Sequence, residues 1–377
     1  MAKDYVEIFD SIEINVFHVG GGGGSIGPAD VLFELEGIKV NLYLFELRQN
    51  ENSDGIVTNA GIRRNIQTFL VSMGIAESSK RMLFNVNKHP LSSSIYSPSP
   101  LVIEECPNFG IIIEGKSIIC TNWKQNTELD KKVEYEFQSL DSLIEAGIVP
   151  RPDFLSLDIQ GSELSALVGA RNALESNILG VTTETEFYEI YLNQPLFQDQ
   201  AKFLDEFSFR LMEIPGFQMW FPGPAIGKGF ATVAEPTFLK MCQEIKGKEY
   251  GRRKPASLEK MENQKIFKLA LIAFAFQRYS YFFTLIEYLQ KNRADFYLKI
   301  ESDERLSRYL KTYCLILSKL PLPTNKPTLL LDNPPQLSRS NMRLIYKFVG
   351  RIFKLLKVYH MVQKIDIETS KGKYLKY

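Results

Sequence analysis

The sequence predicts an α/β fold with a mostly parallel sheet over residues 1–240 and an all-α extension over residues 241–377. Short apolar stretches alternate with helical patterns as far as Lys240, which is typical of strands and helices built around a parallel sheet. After about residue 256 the pattern changes to long helical runs. The charge changes nearby, because residues 1–239 contain 17 basic and 32 acidic side chains and the remainder contains 28 and 12.

The composition limits the class of protein. With 377 residues, 45% hydrophobic and 24% charged, the chain matches ordinary globular proteins and is neither disordered nor collagen-like. It has no uncharged apolar run of membrane-spanning length and no secretory pattern near its start, so we expect a cytoplasmic protein. The four cysteines are far apart, which argues against a disulfide framework and against a zinc site. The sequence gives no oligomeric state.

Seven short stretches are predicted as strands because each is apolar and bounded by turn residues. They are Asn15–Val19, Val40–Glu46, Arg81–Asn87, Phe154–Asp158, Gly180–Glu186, Phe209–Ile214 and Ala231–Lys240. Helical spacing of apolar residues predicts helices at Arg63–Met73, Ser162–Glu175 and Pro195–Phe207. Between them, Gly110–Ile113 and Lys116–Thr121 are predicted as short strands of an irregular insertion.

The basic extension contains three features. Ile266–Leu289 is nearly all apolar or aromatic, which predicts one buried helix, and a proline-rich connector follows at Pro321–Pro335. Met342–Val362 is predicted as a basic amphipathic helix. Its apolar stripe could dock on Ile266–Leu289, or the helix could make a peripheral contact with an anionic membrane. We expect no nucleic-acid partner.

A glycine loop follows the first predicted strand. Asn15–Val19 runs directly into Gly20, Gly21, Gly22, Gly23 and Gly24. Such a loop lets the backbone approach a ligand closely and presents N–H groups to it. Dinucleotides, mononucleotides and S-adenosylmethionine are all bound by loops of this kind, so the loop predicts a nucleotide-like ligand without choosing among them.

Two acids are expected beside this loop. Glu46 ends the second strand about 20 residues later, where a carboxylate can accept hydrogen bonds from both hydroxyls of an adenosine ribose. Asp158 ends a later strand and is followed by a glycine turn. Ligands of open α/β sheets bind at the carboxyl ends of the strands, so Asp158 should lie near the glycine loop.

The region around Asp158 contains the run Asp158-x-x-Gly161-x-Glu163-x-x-Ala166-Leu167-x-Gly169-Ala170, and two further segments accompany it, Phe137–Leu143 and Glu184-x-Glu186-Phe187. With these segments the chain bears a resemblance to the FkbM family of S-adenosylmethionine-dependent methyltransferases. The resemblance covers roughly residues 14–240. It implies the class I methyltransferase fold, a Rossmann-like sheet of seven strands whose last strand is antiparallel, with helices on both faces. It also implies S-adenosyl-L-methionine as the cofactor.

Two positions differ from the family pattern. The family usually has an acid just before the glycines, where this chain has His18, and a second acid after Asp158, where it has Gln160. We expect His18 either to be packed structurally or to contact the cofactor. Together with the five glycines, Glu46 and Asp158, it completes the predicted cofactor-binding set.

Methyl transfer to an alcohol benefits from a positioned base, because a hydroxyl is a weak nucleophile. The candidate catalytic residues are Asp158, His89 and Glu186, of which Asp158 ranks first because its strand ends beside the glycine loop. The aromatic segment Gly216–Pro224 could face the acceptor or merely cover the core.

The sequence therefore predicts O-methyl transfer to a hydroxyl of a saccharide, glycan or other small secondary metabolite. Two alternatives remain open at this point. One is a non-catalytic scaffold or degenerate methyltransferase-like binding protein. The other is an NAD(P)-dependent oxidoreductase, which the absence of the Gly-x-Gly-x-x-Gly spacing disfavours.

Overall fold

The computed structural model describes residues 12–20, 26–47, 65–105, 108–113, 116–221, 229–243 and 256–317. Over these ranges the chain is a mixed α/β protein built on a seven-stranded, mostly parallel sheet. In spatial order the strands of this main sheet are β12 (Phe209–Glu213), β15 (Thr237–Lys240), β10 (Gly180–Thr183), β9 (Phe154–Asp158), β1 (Glu13–Gly20), β2 (Lys39–Phe45) and β3 (Ile66–Val71).

All strand pairs of the main sheet are parallel except the two that involve β15. Strands β3, β2, β1, β9 and β10 pair in parallel, whereas β15 runs antiparallel to both of its neighbours, β10 and β12. A single antiparallel strand next to the sheet edge is consistent with the methyltransferase fold that the resemblance implies.

Smaller sheets make up the rest of the β structure. A five-stranded sheet has the order β11 (Thr185–Glu186), β14 (Phe230–Ala234), β13 (Phe217–Phe221), β6 (Asn108–Ile113) and β7 (Lys116–Asn122), so both predicted strands of the insertion are confirmed. A three-stranded sheet has the order β4 (Gly74–Ile75), β8 (Leu129–Gln138) and β5 (Lys80–Asn87). Two-residue strands β16 (Cys242–Gln243) and β17 (Ala256–Ser257) pair with each other.

Two of the predicted strands are each divided between two sheets. The stretch Gly180–Glu186 leaves the main sheet after β10 and enters the five-stranded sheet as β11. The stretch Ala231–Lys240 returns from β14 to β15. Glu184 lies at the first crossing and Glu235 at the second, where Pro236 lacks the N–H that a continuous ladder needs. Both crossings therefore place an acid between the two sheets.

Helices occupy the remaining described segments. The α-helices are α1 (Pro100–Glu105), α2 (Trp123–Asn126), α3 (Leu140–Glu145), α4 (Glu163–Val168), α5 (Arg171–Ser176), α6 (Phe197–Glu206), α7 (Asn263–Ala275), α8 (Tyr279–Asn292), α9 (Ala294–Ser302) and α10 (Glu304–Leu317). Short 3-10 helices lie at Gly27–Glu34, Pro90–Ser92 and Leu258–Lys260. The predicted helix Ser162–Glu175 is thus two helices, α4 and α5.

The two faces of the main sheet bury two separate hydrophobic cores. On β1, Val16 packs into the core that contains α7 and α8, whereas Phe17 packs into the core that contains α3 to α6. Successive side chains of a strand point to opposite faces, so this division places helices on both faces of the sheet. It also explains why the central strands of this sheet are mostly apolar rather than strictly alternating with polar residues.

The predicted helix Arg63–Met73 is wrong, because Ile66–Val71 forms strand β3. Its β-branched and aromatic side chains suit a strand, and all six residues pair in register with β2, from Val40 opposite Ile66 to Phe45 opposite Val71. The predicted strand Arg81–Asn87 is real but lies in the three-stranded sheet, as β5. The outermost parallel strand on this side of β1 is therefore β3.

The prediction of one helix over Ile266–Leu289 is also wrong, because the run divides into α7 and α8. Gln277 adopts a left-handed conformation with φ of 59°. The Arg278 N–H reaches back to the Ala273 carbonyl at 2.7 Å, which closes the end of α7 with the bond expected of a left-handed C-terminal turn. The reversal lets two apolar helices cover each other and one face of the main sheet.

The contacts within the chain divide it into two units, residues 1–315 and 316–377. The first contains all the sheets and the helices α7 to α9; the boundary at residue 240 stays a prediction. The connector Pro321–Pro335 and the helix Met342–Val362 lie outside the described residues. Among the helices that are described, none is long and apolar enough to cross a bilayer.

Candidate functional site

The carboxyl edge of the main sheet gathers the predicted cofactor-binding residues. Gly20 ends β1 and lies opposite Asp158, which ends β9. On the other side of β1, Phe45 of β2 pairs with Val19, and Glu46 follows it directly. The structure thus brings Glu46, Gly20 and Asp158 to neighbouring positions along one edge, where open α/β sheets bind their ligands.

Gly20 is the described end of the glycine loop. Its φ is +85°, and a Cβ added there would lie 1.9 Å from the Asp158 carbonyl oxygen. The close approach of β1 and β9 at this point therefore requires glycine. Gly21, Gly22, Gly23 and Gly24 lie outside the described residues.

The turn after β9 is held by Glu163. Its Oε1 accepts hydrogen bonds from the N–H groups of Ile159, at 2.8 Å, and Gly161, at 3.3 Å. The side chain is fully buried, and burial, with a smaller contribution from the charge of Asp158, raises the pKa of Glu163 to about 7. Glu163 therefore shapes the turn that follows Asp158.

Gln160 connects two acids of the site. Its Nε2 donates to Asp158 Oδ1 at 3.0 Å and to Glu184 Oε2 at 2.7 Å. Its Oε1 lies 3.0 Å from the Tyr191 hydroxyl, whose single proton it shares with the Ser92 carbonyl oxygen at 2.9 Å. Asp158 itself is only partly buried, and among the described residues its Oδ2 makes no hydrogen bond.

Three further acids surround this network. Burial, followed by the charge of Asp158, raises the pKa of Glu184 well above its ordinary value, and the same two causes raise the pKa of Glu235 to about 7. Glu186 is fully buried, and its pKa is raised by burial first and then by the charges of Glu163 and Asp158. Gln194 lies near enough to lower this pKa slightly, yet neither Glu186 oxygen has a hydrogen-bond partner among the described residues.

Because Glu186 is buried without a partner in the described part of the chain, we expect Glu186→Gln to stabilise the protein more at pH 9 than at pH 5, by about 1–3 kcal/mol. A raised folded-state pKa means that the folded chain holds a proton that the unfolded chain releases near 4.5, so wild-type stability falls as the pH rises above that value. Glutamine is neutral at both pH values, so the Glu186→Gln variant does not lose this stability as the pH rises. Urea unfolding at both pH values measures the difference.

The control for this substitution is Glu189→Gln, which changes an exposed acid of the same segment. It should shift stability equally at pH 5 and pH 9. A gain from Glu186→Gln that does not depend on pH would mean that the Glu186 carboxyl is ionised in the folded protein.

The two candidate histidines lie in different surroundings. His18 is buried in β1, and its Nδ1 lies 3.0 Å from Ser156 Oγ. The Ser156 hydroxyl donates to the Ile26 carbonyl at 3.2 Å, so it accepts from His18, whose Nδ1 therefore carries the proton. His89 is exposed, and its backbone N–H bonds to the Asn126 carbonyl. His18 thus lies two residues before Gly20, whereas the described contacts of His89 do not connect it to the acids.

The aromatic segment at Gly216–Pro224 is largely a strand rather than a loop. Its residues Phe217–Phe221 form β13, and the residues after Phe221 lie outside the described part. The Trp220 ring is 6.2 Å from Tyr188 and 5.4 Å from Phe230, measured between ring centroids. Tyr188 is 45% exposed and Phe230 52%, so an aromatic surface begins two residues after Glu186 on the chain.

The described residues contain no group of three or more His, Cys, Asp or Glu side chains arranged to hold a metal ion. The partners that the structure gives to Asp158, Glu163 and Glu184 are Gln160 and backbone N–H groups. These acids are therefore linked through hydrogen-bond donors of the protein itself.

Comparison with known families gives one result. Residues 34–211 match the family model described as the methyltransferase FkbM domain. Over these residues the chain is similar to an FkbM methyltransferase. The match includes the Asp158 turn and the Glu184–Glu186 segment, which confirms the predicted resemblance over this range, whereas His18 and the glycine loop lie before it. Neither curated proteins nor solved structures give a significant match.

Some residues of the FkbM domain's site are not found by sequence reasoning. Glu235 lies outside the matched range, at a crossing between sheets that no local pattern marks. Gln160 stands out in the sequence only as a departure from the family, and Tyr191 does not stand out as a site residue. A buried glutamine and tyrosine have no sequence signature of their own, and only the fold shows that they touch.

Proposed function

We propose that this chain is an S-adenosylmethionine-dependent O-methyltransferase that acts on a hydroxyl of a saccharide, glycan or other small metabolite. The observation that carries the proposal is the edge formed by Glu46, Gly20 and Asp158. There Gly20, where a Cβ would clash with the Asp158 carbonyl, lies between two acids, and both acids fall within the residues that match the FkbM methyltransferase domain.

The residues of this edge fit the cofactor. The bare backbone at Gly20 leaves a ligand free to approach β1, and Glu46 can accept hydrogen bonds from ribose hydroxyls. The ammonium and sulfonium groups of S-adenosylmethionine are cations, which suits an edge rich in carboxyl groups. When bound, the cofactor supplies an electrophilic methyl group. His18, held by Ser156, supports β1 just before the loop.

Asp158 is the best candidate for the base. It lies at the strand end beside Gly20 and is partly exposed. Its Oδ2 makes no hydrogen bond with any described residue. Oδ2 would take the proton that the acceptor hydroxyl loses on methylation. Glu186 is fully buried and would need the site to open, and His89 is exposed on a separate segment. Both remain candidates if Asp158 fails.

The aromatic surface supports an uncharged, ring-containing acceptor. Tyr188 and Phe230 are exposed on either side of Trp220, and Tyr188 follows Glu186 closely on the chain. Aromatic faces bind the apolar faces of rings, while the charge of Asp158, which adds to the effect of burial in raising the pKa values of Glu184 and Glu235, repels anions. We therefore place small alcohols and saccharides ahead of anionic acceptors.

Calorimetry with S-adenosylhomocysteine and with NAD tests the proposal. We expect the wild-type protein to bind S-adenosylhomocysteine and not NAD. Binding of NAD alone would favour an oxidoreductase. Binding of neither ligand would indicate a degenerate domain that acts as a scaffold.

Glu46→Ala should weaken S-adenosylhomocysteine binding by about 1.5–3 kcal/mol, the scale of hydrogen bonds lost to a charged group. The measurement is calorimetry on a variant whose melting temperature is unchanged. Glu36→Ala, which removes an exposed acid from the turn before β2, serves as the control. An unchanged dissociation constant for the Glu46 variant would remove Glu46 from the cofactor site.

A further inference from the structure

Gln160 occupies a constrained position in the turn after β9. It has a φ of 55°, in the left-handed region that residues with a side chain rarely adopt. The turn is fixed from two directions. Ser94 Oγ donates to the Gln160 carbonyl at 2.7 Å, and Glu163 binds the N–H groups on either side of Gln160. Strained backbone conformations that are fixed by several hydrogen bonds, as at Gln160, are concentrated at functional sites.

The orientation of the Gln160 amide follows from its partners. Gln160 Nε2 lies within hydrogen-bond distance of Asp158 Oδ1 and Glu184 Oε2, so both of its protons are used on carboxyl oxygens. The hydroxyl of Tyr191 lies on the opposite face, and its single proton can go to Gln160 Oε1, at 3.0 Å, or to the Ser92 carbonyl, at 2.9 Å. Rotating the amide by half a turn would remove both Nε2 protons from Asp158 Oδ1 and Glu184 Oε2.

We propose that Gln160 is a positioning residue that holds one oxygen of Asp158 and one of Glu184, so that Asp158 presents Oδ2 to the bound methyl donor and the acceptor. This inference rests on the proposed function. Asp158 has two equivalent oxygens and a freely rotating carboxyl unless one oxygen is held. Fixing Oδ1 at 3.0 Å from Gln160 selects a single orientation of the carboxylate.

Because Gln160 is neutral, it adds no negative charge to the acids around it. The groups that face it come from several elements: Asp158 and Glu163 around the turn, Glu184 and Glu186 from the β10–β11 crossing, Glu235 from the β14–β15 crossing, and Tyr191. An acid in place of Gln160 would add another carboxyl to this group. Like charges at short range hold carboxyl groups in the protonated form. Glutamine has the same shape as glutamate, adds no charge, and donates the two hydrogen bonds that a carboxylate cannot donate.

The test measures S-adenosylmethionine binding by calorimetry between pH 5.5 and pH 9 with the full chain. Gln160→Glu adds the charge, Gln160→Met keeps the length without the donors, and Tyr191→Phe removes the contact that fixes the amide. Gln198→Glu, on the exposed face of α6, is the matched control. Melting temperatures are recorded for every variant.

We expect Gln160→Glu to move the pH midpoint of binding upward by about one unit or more, with affinity recovering above it as the carboxyls ionise. Gln160→Met should bind about tenfold more weakly at every pH, because two hydrogen bonds are lost. Tyr191→Phe should bind S-adenosylmethionine about threefold more weakly. If Gln160→Glu does not fold, the result for Tyr191→Phe tests the inference in its place. Gln198→Glu should behave like the wild type.

Wild-type affinity and pH midpoint in all the Gln160 and Tyr191 variants would overturn the inference and leave the proposed function intact. The inference would also be overturned if Gln160→Glu lost the same affinity at every pH and its melting temperature fell in parallel. That result would mean that Gln160 has only a structural role. Failure of the wild type itself to bind S-adenosylmethionine at any pH would overturn the proposed function, and this inference with it.

Discussion

Asp158→Asn is expected to reduce methyl transfer by about 10²-fold or more, as the loss of a general base commonly does. The reason lies in the two oxygens of the carboxylate. An asparagine at this position can still accept the Gln160 hydrogen bond through its carbonyl, so the turn should survive, but the NH₂ group that replaces Oδ2 cannot take a proton. The loss should therefore fall on turnover rather than on folding.

The measurement is the release of S-adenosylhomocysteine from S-adenosylmethionine in the presence of a panel of saccharides and small alcohols. The melting temperature of the variant should stay within a few degrees of the wild type. Glu145→Gln, which alters an exposed acid at the end of α3, controls for a general effect of removing a carboxylate. Turnover that survives nearly intact in Asp158→Asn would remove Asp158 as base, and Glu186 and His89 would be tested next.

The parallel strands nearest the site can be predicted from sequence because their patterns are local. Val16 and Leu42 belong to stretches that are buried on both faces, and such stretches are mostly apolar on both faces. The acids at the strand ends follow from the same reasoning, since the chain leaves a parallel strand at the carboxyl edge. Gly20, Glu46 and Asp158 can therefore be placed together from the order of strands and turns alone.

The errors arise where tertiary contacts override the local pattern. The β3 stretch shows a helical spacing of apolar residues, and only its pairing with β2 makes it a strand. In the same way, the apolar run that divides into α7 and α8 contains no glycine or proline at its break. Gln277 adopts the left-handed conformation because the two helices must fold back on each other.

The site shows the same division. Each crossing between sheets takes one acid into the interior, and a crossing has no sequence signature beyond Pro236. Sequence reasoning names Glu186 as a candidate catalytic residue, but it does not predict that Glu184, Glu186 and Glu235 are buried, because acids are rarely buried. Their raised pKa values come from burial, which only the assembled fold provides.

Gly20→Ala is expected to lower the free energy of unfolding by about 3–5 kcal/mol and to abolish S-adenosylhomocysteine binding. The new Cβ would lie 1.9 Å from the Asp158 carbonyl oxygen, and the φ of +85° is unfavourable for alanine even without that contact. Relief of the clash requires β1 and β9 to separate at their carboxyl ends. That separation would displace Asp158 from the edge that it shares with Gly20 and Glu46.

Gly147→Ala separates the two causes. Gly147 also has a positive φ, of +70°, but a Cβ added there would meet nothing within 4 Å. This variant should therefore lose only about 1 kcal/mol, the cost of the backbone conformation, and bind S-adenosylhomocysteine as the wild type does. Urea unfolding and calorimetry on both variants give the comparison. Equal losses of stability, with binding retained in Gly20→Ala, would show that β1 and β9 accommodate a side chain at Gly20 and that the edge is not a preformed cofactor site.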